Sequence, residues 1–338
     1  ERRRDTLSDE KIAALQDECY FWRFLQFEFY RELTALKDYA KSKNVALIGD
    51  IPIYFAYDSA DVWAHPEIFR LDKNMRPKEV AGVPPDYFSA DGQLWGNPLY
   101  DWKKQQADGF VWWHHRLLHQ LQFFDKIRID HFRAFESYYA VPYGATTAKI
   151  GRWVKGVGTK IFDGLDLDGR IIAEDLGIIT DKVRRLVKRT GFPGMKVFQF
   201  AFDGKSDNEH LPENVRYNTV YYTGTHDNDT LKGWYDAQGD GTKEYVKKTL
   251  GATDENVFDK AFKRVMRSRA KFVIVPMQDY LLQGSEARMN TPGTNDGNWK
   301  YVLPKNYAKV KNRIRKYVRN RCGDSAARTA LLKSHYCK

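Results

Sequence analysis

The sequence predicts an α/β fold of the (β/α)8 barrel type, with an inserted lid subdomain. Short apolar runs that end in polar residues recur along the chain, and a helical stretch follows most of them. Acidic residues stand at the ends of several runs, and the catalytic groups of (β/α)8 barrels lie at the carboxyl ends of strands. A doubly wound parallel sheet is the alternative that this pattern leaves open.

The first predicted element is a long amphipathic helix. Apolar residues recur every three or four positions from Ile12 to Ala40, behind a cap at Ser8, and Lys43 and Asn44 end the helix. Apolar runs then predict six strands, at residues 45–48, 127–130, 171–174, 195–198, 220–223 and 272–275. A complete barrel of this type has eight strands, so two are not visible in this sequence.

The predicted organisation has three parts. Residues 1–44 form the helix before the first visible strand, residues 45–299 form the barrel portion, and residues 300–338 form a basic helical tail. An insertion at about residues 55–125 is too long for an ordinary βα loop and is rich in proline and aromatic residues. It predicts a lid subdomain whose rings either pack the insertion itself or contact a sugar, because sugar faces pack on aromatic planes.

Composition restricts the class of protein. The chain has 338 residues, of which 42% are hydrophobic, which is enough for one large domain or two ordinary ones. It has neither a run of about 20 apolar residues nor an apolar N-terminal stretch, so no membrane contact and a cytosol-like compartment are expected. Cys19, Cys322 and Cys337 lack the spacing of a zinc site or a disulfide framework.

The net charge of +11 comes largely from lysines and arginines after residue 300. Tyr307, Val310, Ile314 and Tyr317 are spaced at helical intervals within this basic stretch. A solvated basic face on a terminal helix explains this pattern better than a nucleic-acid site does, so no nucleic-acid partner is expected.

Asp130 and Glu174 are the candidates for the two carboxyl groups that glycosidic cleavage requires. Neighbouring strand ends could hold them roughly 5 to 5.5 Å apart, the separation that retention of configuration needs. Arg128 lies on the same face of the strand as Asp130 and can keep that aspartate ionised. Apolar neighbours of Glu174 can raise its pKa for the role of an acid. Each acid could instead cap a helix, although the polar cluster at 226–229 exceeds what one cap needs.

At these residues the sequence resembles the 4-α-glucanotransferases, the amylomaltase or disproportionating-enzyme family. Three strings carry the resemblance, at residues 126–133 (KIRIDHFR), 172–177 (IAEDLG) and 224–230 (GTHDNDT). Further matching strings lie at residues 49–54 (GDIPIY), 59–64 (SADVWA), 82–89 (GVPPDYFS), 92–100 (GQLWGNPLY), 276–279 (PMQD) and 285–290 (SEARMN). The resemblance extends from about Trp22 to Trp299.

The resemblance implies a role for each matching residue. Asp130 would be the nucleophile, Glu174 the general acid/base, and Asp227 the carboxylate that stabilises the transition state through sugar hydroxyls. The substrate-binding residues that it implies are Asp50, Tyr54, Asp86, Tyr87, Phe88, Gln93, Trp95, Arg128, His131 and His226, with Tyr87 and Phe88 in a mobile loop over the bound glucan. No metal or organic cofactor is implied.

The implied reaction transfers α-1,4-glucan segments between malto-oligosaccharide, amylose, starch or glycogen chains. By the same resemblance, two strands of the family's barrel and a subdomain should precede Ile12, so an upstream segment or a second chain would complete the barrel. Ala134 stands where the family usually has glycine. The location implied is the cytoplasm, or the plastid stroma in a plant or alga.

Two other functions remain open at this stage. An α-amylase-like hydrolase would use the same three carboxylates with water as the acceptor, although the proline-rich aromatic loop at 82–100 favours transfer because it can exclude water. A truncated glucan-binding fragment without turnover would retain the aromatic contacts alone.

Overall fold

The structure is a computed structural model that describes residues 8–85, 89–294 and 296–322. The chain divides into two compact units, Glu1–Phe192 and Pro193–Lys338. Each unit contains one three-stranded parallel sheet. None of the described helices is both long enough and apolar enough to cross a membrane.

The first unit alternates helices with strands of two sheets. In chain order its elements are α1 (Asp9–Ala14), α2 (Gln16–Ser42), β1 (Ile48–Ile51), α3 (Ala60–Ala64), β2 (Glu79–Val83), β3 (Gln93–Pro98), α4 (Trp102–Ala107), α5 (Val111–Phe123), β4 (Lys126–Ile129), β5 (Ser137–Pro142), β6 (Arg152–Lys155), β7 (Ile171–Ala173) and α6 (Asp181–Thr190). Short 3-10 turns cover Pro66–Ile68, Phe132–Phe135 and Gly158–Phe162.

The predicted first helix starts at the predicted cap. The Ser8 hydroxyl accepts a hydrogen bond from the Lys11 amide, which satisfies one of the unpaired donors at a helix start. The helix differs from the prediction in that Leu15 interrupts it and separates α1 from α2. Most of the apolar stripe that predicted this helix is exposed, including Trp22 and Phe29.

The end of α2 explains why β1 begins three residues later than predicted. Asn44 adopts a left-handed conformation with φ 56°, its amide donates to the Lys41 carbonyl, and the Val45 amide donates to the Ala40 carbonyl. This pair of bonds is the Schellman motif that closes many helices. The Val45 amide is therefore committed to the helix end, and the strand starts at Ile48, which places Asp50 inside the strand rather than after it.

Three parallel strands of the first unit form a sheet in the order β1-β4-β7. Asp50 lies opposite Arg128 in the β1–β4 register, so the two side chains share a face of the sheet. The core beside the sheet includes Ile127, Ile129 and Trp113 of α5. Gly49 allows this packing, because a Cβ atom there would lie 2.4 Å from the ring of Phe124.

A four-stranded antiparallel sheet in the order β3-β2-β5-β6 was missed by the sequence prediction. It joins residues from within the predicted insertion to residues 137–155, which follow the Asp130 loop. The run of residues 138–141 (YYAV), bounded by Pro142 and Gly144, is a strand signal that could have revealed part of it. The predicted domain boundaries stay a prediction.

The second unit contains the other parallel sheet, in the order β10-β9-β8. In chain order its elements are β8 (Gly194–Val197), β9 (Thr219–Tyr222), α7 (Leu231–Asp236), α8 (Asp240–Leu250), α9 (Val257–Arg267), β10 (Phe272–Ile274), α10 (Met277–Leu281) and α11 (Lys311–Cys322). Further 3-10 turns cover Phe198–Ala201, Ser285–Ala287 and Tyr307–Val310. All six predicted strands are therefore present, each within three residues of its expected position.

The predicted C-terminal helix packs on α9. Tyr317 is buried against Phe262, with ring centroids 5.1 Å apart, and Val310 is also buried. The Arg321 guanidinium donates to the Met266 carbonyl at the end of α9. Of the apolar residues spaced at helical intervals in this stretch, Val310 and Tyr317 are buried, whereas Tyr307 is exposed.

Candidate active site

Three charged side chains meet at the carboxyl ends of β1 and β4. The Arg128 guanidinium binds Asp50 through two hydrogen bonds, Nε to Oδ1 at 2.9 Å and Nη2 to Oδ2 at 2.7 Å. Its Nη2 also lies 3.0 Å from Asp130 Oδ1. Arg128 is buried and its pKa is raised by these carboxylates against the effect of burial. One fixed cation therefore orients two carboxylates, of which the sequence predicted only the Asp130 contact.

Glu174 follows β7 and is almost fully buried. Burial raises its pKa to about 7, and the negative charge of Asp130 contributes to the same shift. The backbone amides of His131 and Leu176 each donate to one Glu174 oxygen at 2.8 Å, which opposes the shift without cancelling it. Glu174 can thus carry a proton near neutral pH beside an aspartate paired with Arg128.

His131 joins the Asp130 loop to the Glu174 loop. Its backbone is left-handed, with φ 51°, which turns the His131 amide toward Glu174. Burial and the charge of Arg133 lower the pKa of His131 to about 3, so the imidazole is neutral at physiological pH. The Trp95 ring packs against the imidazole in a T-shaped contact, with centroids 4.7 Å apart. A neutral imidazole beside an exposed indole can hydrogen-bond a sugar hydroxyl while the indole contacts the sugar ring.

The turn after Asp130 is anchored by Arg133. Its guanidinium lies 3.8 Å from the centre of the Trp153 ring, donates to the Ser137 hydroxyl at 3.1 Å, and donates to the Ile178 carbonyl. The turn is therefore tied both to the antiparallel sheet and to the loop that follows Glu174. Ala134 is fully buried, so the methyl group that replaces the expected glycine is accommodated. Gly156 allows the backbone of this turn to approach closely, because a Cβ atom at Gly156 would lie 2.4 Å from the Ala134 carbonyl oxygen.

The remaining predicted ligands of the first unit lie at different depths. Gln93 and Trp95 are exposed on β3, where the indole donates to the Gln93 side chain. Tyr54 is buried below Trp95 and stacks on Tyr100, with centroids 5.9 Å apart. The roles of these residues as sugar ligands stay predictions. Asp86, Tyr87 and Phe88 lie outside the described residues.

Asp227 lies in the second unit, in the loop that follows β9. The Asn290 amide donates to Asp227 Oδ1 at 2.6 Å, and His226 Nε2 lies 3.4 Å from Oδ2. Arg288 donates to the Asp227 carbonyl at 2.7 Å and also to the Asn290 carbonyl. The Asp227 side chain remains partly exposed, so its carboxylate is held by neighbours and is still accessible.

Asn290 and Arg288 were not predicted as site residues. They belong to the string at 285–290 that contributed to the resemblance, but no chemical signal in the sequence connects that string to Asp227, and Arg288 is 61 residues away from it. The same region forms a cavity of about 160 Å³, which His226, Met289 and Trp299 help to line. Trp299 is exposed, and its ring centroid lies 5.3 Å from that of His226.

Asp279 follows β10, and it supports the helix-cap alternative that the sequence left open. It is fully buried, accepts from the Thr223 hydroxyl at 2.5 Å and from the Leu231 amide at 2.7 Å, and so closes the start of α7. Burial raises its pKa to about 6. Asp279 thus has a structural role, whereas Asp130 and Asp227 present accessible carboxylates.

Within the ranges that the structure describes, no group of three or more His, Cys, Asp or Glu side chains is arranged to hold a metal ion. The carboxylates described above and their hydrogen-bond partners provide acid, base and nucleophile groups. An ionised aspartate beside a buried, protonatable glutamate is the pair that acid-assisted nucleophilic cleavage of a glycoside requires.

Parallel strands followed by helices, with carboxylates where the strands end, define an α/β protein of the (β/α)8 class. An amylomaltase from Streptococcus agalactiae, solved in complex with acarbose, superposes with a TM-score of 0.87 at 34% identity over 95% of this chain and 66% of that chain, which confirms the predicted fold class. The sequence model of a family described as 4-alpha-glucanotransferase matches residues 1–306. The chain belongs to this 4-alpha-glucanotransferase family.

Curated relatives from distant organisms carry the same description. A 4-alpha-glucanotransferase of Aquifex aeolicus is 45% identical over 312 residues, which is 91% of this chain and 64% of the relative. A chloroplastic/amyloplastic 4-alpha-glucanotransferase of Solanum tuberosum is 47% identical over 283 residues, which is 82% of this chain and 49% of the relative. The chain thus spans less than two thirds of the length of these relatives.

Proposed function

We propose that this chain carries the reacting carboxylates of a 4-α-glucanotransferase, which moves α-1,4-glucan segments from one chain to another by a retaining double displacement. The observation that carries the proposal is the pair of opposite environments at the strand ends. Arg128 binds Asp130 and favours its ionised form, while burial and the Asp130 charge favour the protonated form of Glu174.

In the first step Asp130 is the nucleophile. Its carboxylate attacks the anomeric carbon of the donor glucose, the bond from that carbon to the leaving 4-oxygen breaks, and Glu174 gives its proton to that oxygen. The products are a glucosyl ester of Asp130 and a shortened glucan. A Glu174 pKa of about 7 suits this step, because about half of the groups carry the proton at neutral pH and transfer it readily.

The second step reverses these roles. Ester formation removes the negative charge of Asp130, which is one of the two causes that raise the Glu174 pKa, so that pKa falls once the ester exists. Glu174 then accepts the proton of an acceptor 4-hydroxyl as that oxygen attacks the anomeric carbon. The ester bond breaks and Asp130 is released as a carboxylate.

The resemblance assigns substrate contacts around these two groups. His131, neutral and packed on Trp95, is suited to a sugar hydroxyl and the adjoining ring face. For Asp227 we propose stabilisation of the transition state through sugar hydroxyls, a role supported by its accessible carboxylate and by the fixed Asn290 amide. A cytosol-like compartment, or the plastid stroma in a plant or alga, stays the predicted location.

Incubation of the 338-residue chain with maltotriose tests the reaction. Transfer yields glucose together with maltopentaose and longer oligomers, at an unchanged total of reducing ends. Shorter sugars alone, with a rising total of reducing ends, would replace this proposal with a hydrolase. Binding of amylose without any product would replace it with a glucan-binding fragment.

Two variants test the assignments. Asp130→Ala and Glu174→Gln should each abolish disproportionation while glucan binding is retained. Asp166→Ala and Glu67→Gln are matched controls, because both carboxylates are exposed in the first unit and outside the site. Either site variant with more than a tenth of the original rate would contradict its assigned role.

A further inference from the structure

Helix α9 borders a groove of about 690 Å³ in the second unit, which we call the α9 groove. The residues that line it are Pro212, Glu213, Leu250, Lys260, Lys263, Arg264, Arg267, Ser268 and Lys316. None of them belongs to the Asp227 loop or its neighbours at 288–290. The proposed glucan transfer assigns no role to this groove.

The sequence of α9 concentrates positive charge on this side. Lys260, Lys263, Arg264 and Arg267 follow the i, i+3, i+4, i+7 spacing that puts side chains on one face of a helix, and Val257, Ala261 and Val265 are among its buried residues. Lys316 adds a fifth cation from α11. The groove is therefore a cationic concavity built by two packed helices rather than scattered surface lysines.

Two carboxylates neutralise only part of this charge. Asp259 pairs with Lys263 Nζ at 2.5 Å and with Lys316 Nζ at 2.7 Å, and Glu213 is among the residues that line the groove. These two carboxylates are fewer than the five lysines and arginines that line the groove. Among the residues that the structure describes, the Lys260 ammonium has neither an ion pair nor a hydrogen bond, so it is available to a ligand.

Two of the cationic groups, Lys316 and Arg264, are held in place before any ligand arrives. The Tyr317 hydroxyl bonds Asp259 Oδ1 at 2.8 Å and its ring packs on Phe262, which fixes α11 and Lys316 against α9. The Arg264 guanidinium donates to the Thr249 carbonyl at 3.2 Å at the end of α8. Preorganisation of this kind reduces the entropy that an anion must overcome on binding.

We propose that the α9 groove binds a phosphate group, either as free phosphate or as the phosphate monoester of a sugar. A dianion matches the excess positive charge, lysine provides point charges for phosphate oxygens, and arginine provides a planar fork for them. A volume of about 690 Å³ exceeds what one phosphate fills, and Pro212 and Leu250 offer apolar surface for the rest of an ester. The ligand class is thus a small phosphorylated molecule.

Calorimetric titration with inorganic phosphate and with glucose 6-phosphate tests the proposal, at constant ionic strength set with sodium chloride. Saturable binding is expected, and Lys260→Gln and Arg264→Gln should each weaken it about tenfold, because each removes a charge-assisted hydrogen bond. Tighter binding of glucose 6-phosphate than of phosphate would assign the site to a monoester, and equal binding would assign it to free phosphate.

Lys248→Gln is the matched control, since Lys248 is exposed on α8 in the same unit and does not line the groove. It should leave both affinities within twofold. The proposal is overturned by absence of saturable binding, or by equal weakening in the control, which would indicate general screening of charge. Thermal unfolding of each variant verifies that it is folded. If Arg264→Gln does not fold, Lys260→Gln alone tests the proposal.

Discussion

At the scale of single residues, surroundings rather than residue type separate the roles of the carboxyl groups. Asp50 and Asp130 share the Arg128 guanidinium, whereas the buried Glu174 accepts hydrogen bonds from the His131 and Leu176 backbone amides. A shared cation favours charge, and burial beside a second carboxylate opposes it. The proposed nucleophile, Asp130, is therefore held beside a cation, and the proposed acid, Glu174, has a pKa raised to about 7.

The Glu174 pKa predicts the alkaline limit of activity. Because the folded-state pKa of about 7 lies above the ordinary value of 4.5, the folded protein retains this proton at pH 5 to 7, and above pH 7 the acid form decreases tenfold per unit. We expect kcat/KM for maltotriose to fall with an apparent pKa of about 7. An alkaline limb displaced beyond pH 9 would assign the proton donor to another group.

The same pKa affects stability in a direction that can be worked out. Between pH 4.5 and 7 the folded state binds more protons at Glu174 than the unfolded state does, so this group's contribution to the free energy of unfolding decreases as pH rises. Urea unfolding of wild type and Glu174→Gln at pH 5 and pH 8 measures this effect. From pH 5 to pH 8 the wild-type chain should lose stability as Glu174 ionises, whereas Glu174→Gln should not show this loss.

The contacts of Arg128 predict that its replacement by lysine lowers activity even though the positive charge is kept. Lysine cannot bind Asp50 with two parallel hydrogen bonds and contact Asp130 at the same time, because its ammonium is a point charge. We expect Arg128→Lys to lower kcat/KM by about 100-fold. Arg189→Lys, on the exposed side of α6, is the control and should remain within twofold. If Arg128→Lys kept more than half of the original rate, the proposed orienting role of Arg128 would be contradicted.

At the scale of elements, strands were predictable where burial forces an apolar run, and loops were not. The six parallel strands are short and mostly buried, so their composition alone marks them. The Arg128–Asp50 pair depends on the register between β1 and β4, and the Asn290–Asp227 bond joins loops 63 residues apart. Composition does not encode such pairings, which explains why Asn290 was missed although its string had been recognised.

Asn290 tests whether the segment at 288–290 positions Asp227. Asn290→Ala removes the 2.6 Å bond to the carboxylate, and a hydrogen bond to a charged group contributes roughly 1.5 to 3 kcal/mol, so we expect kcat/KM to fall about 10- to 100-fold. Asn290→Asp keeps the shape but places a like charge beside Asp227, and it should lose more. Rates within twofold of wild type in both variants would contradict the positioning role.

Gly49 tests the packing of α5 on β1. A Cβ atom at this position would meet the Phe124 ring at 2.4 Å, so Gly49→Ala forces the ring or the strand to move, at a cost of about 1 to 3 kcal/mol. Gly241→Ala is the matched control, because that helical glycine has open space around it and alanine should stabilise α8 slightly. Urea unfolding midpoints of the two variants should move in opposite directions. A Gly49→Ala midpoint equal to that of wild type would show that the ring moves without cost.

At the scale of the whole chain, the feature without a partner among the described residues is the apolar stripe of α2. Of the stripe that predicted this helix, Ala40 is buried, while Trp22, Leu25 and Phe29 are exposed. The contacts of α2 with α5 involve Tyr30, whose hydroxyl lies 3.0 Å from His119 Nε2. Amphipathic periodicity located the helix correctly, but periodicity does not specify which surface covers its apolar side.

An exposed apolar stripe of this size predicts association of the 338-residue chain. We expect its sedimentation coefficient to rise with protein concentration, and the fluorescence of a dye that binds apolar surface to increase on addition of the chain. Leu25→Lys combined with Phe29→Lys should reduce both effects, because each lysine brings its ammonium group into the stripe. Gln26→Lys adds one positive charge beside the stripe and should leave both effects unchanged. A chain that sediments as a monomer at every concentration would show that the stripe alone does not cause association.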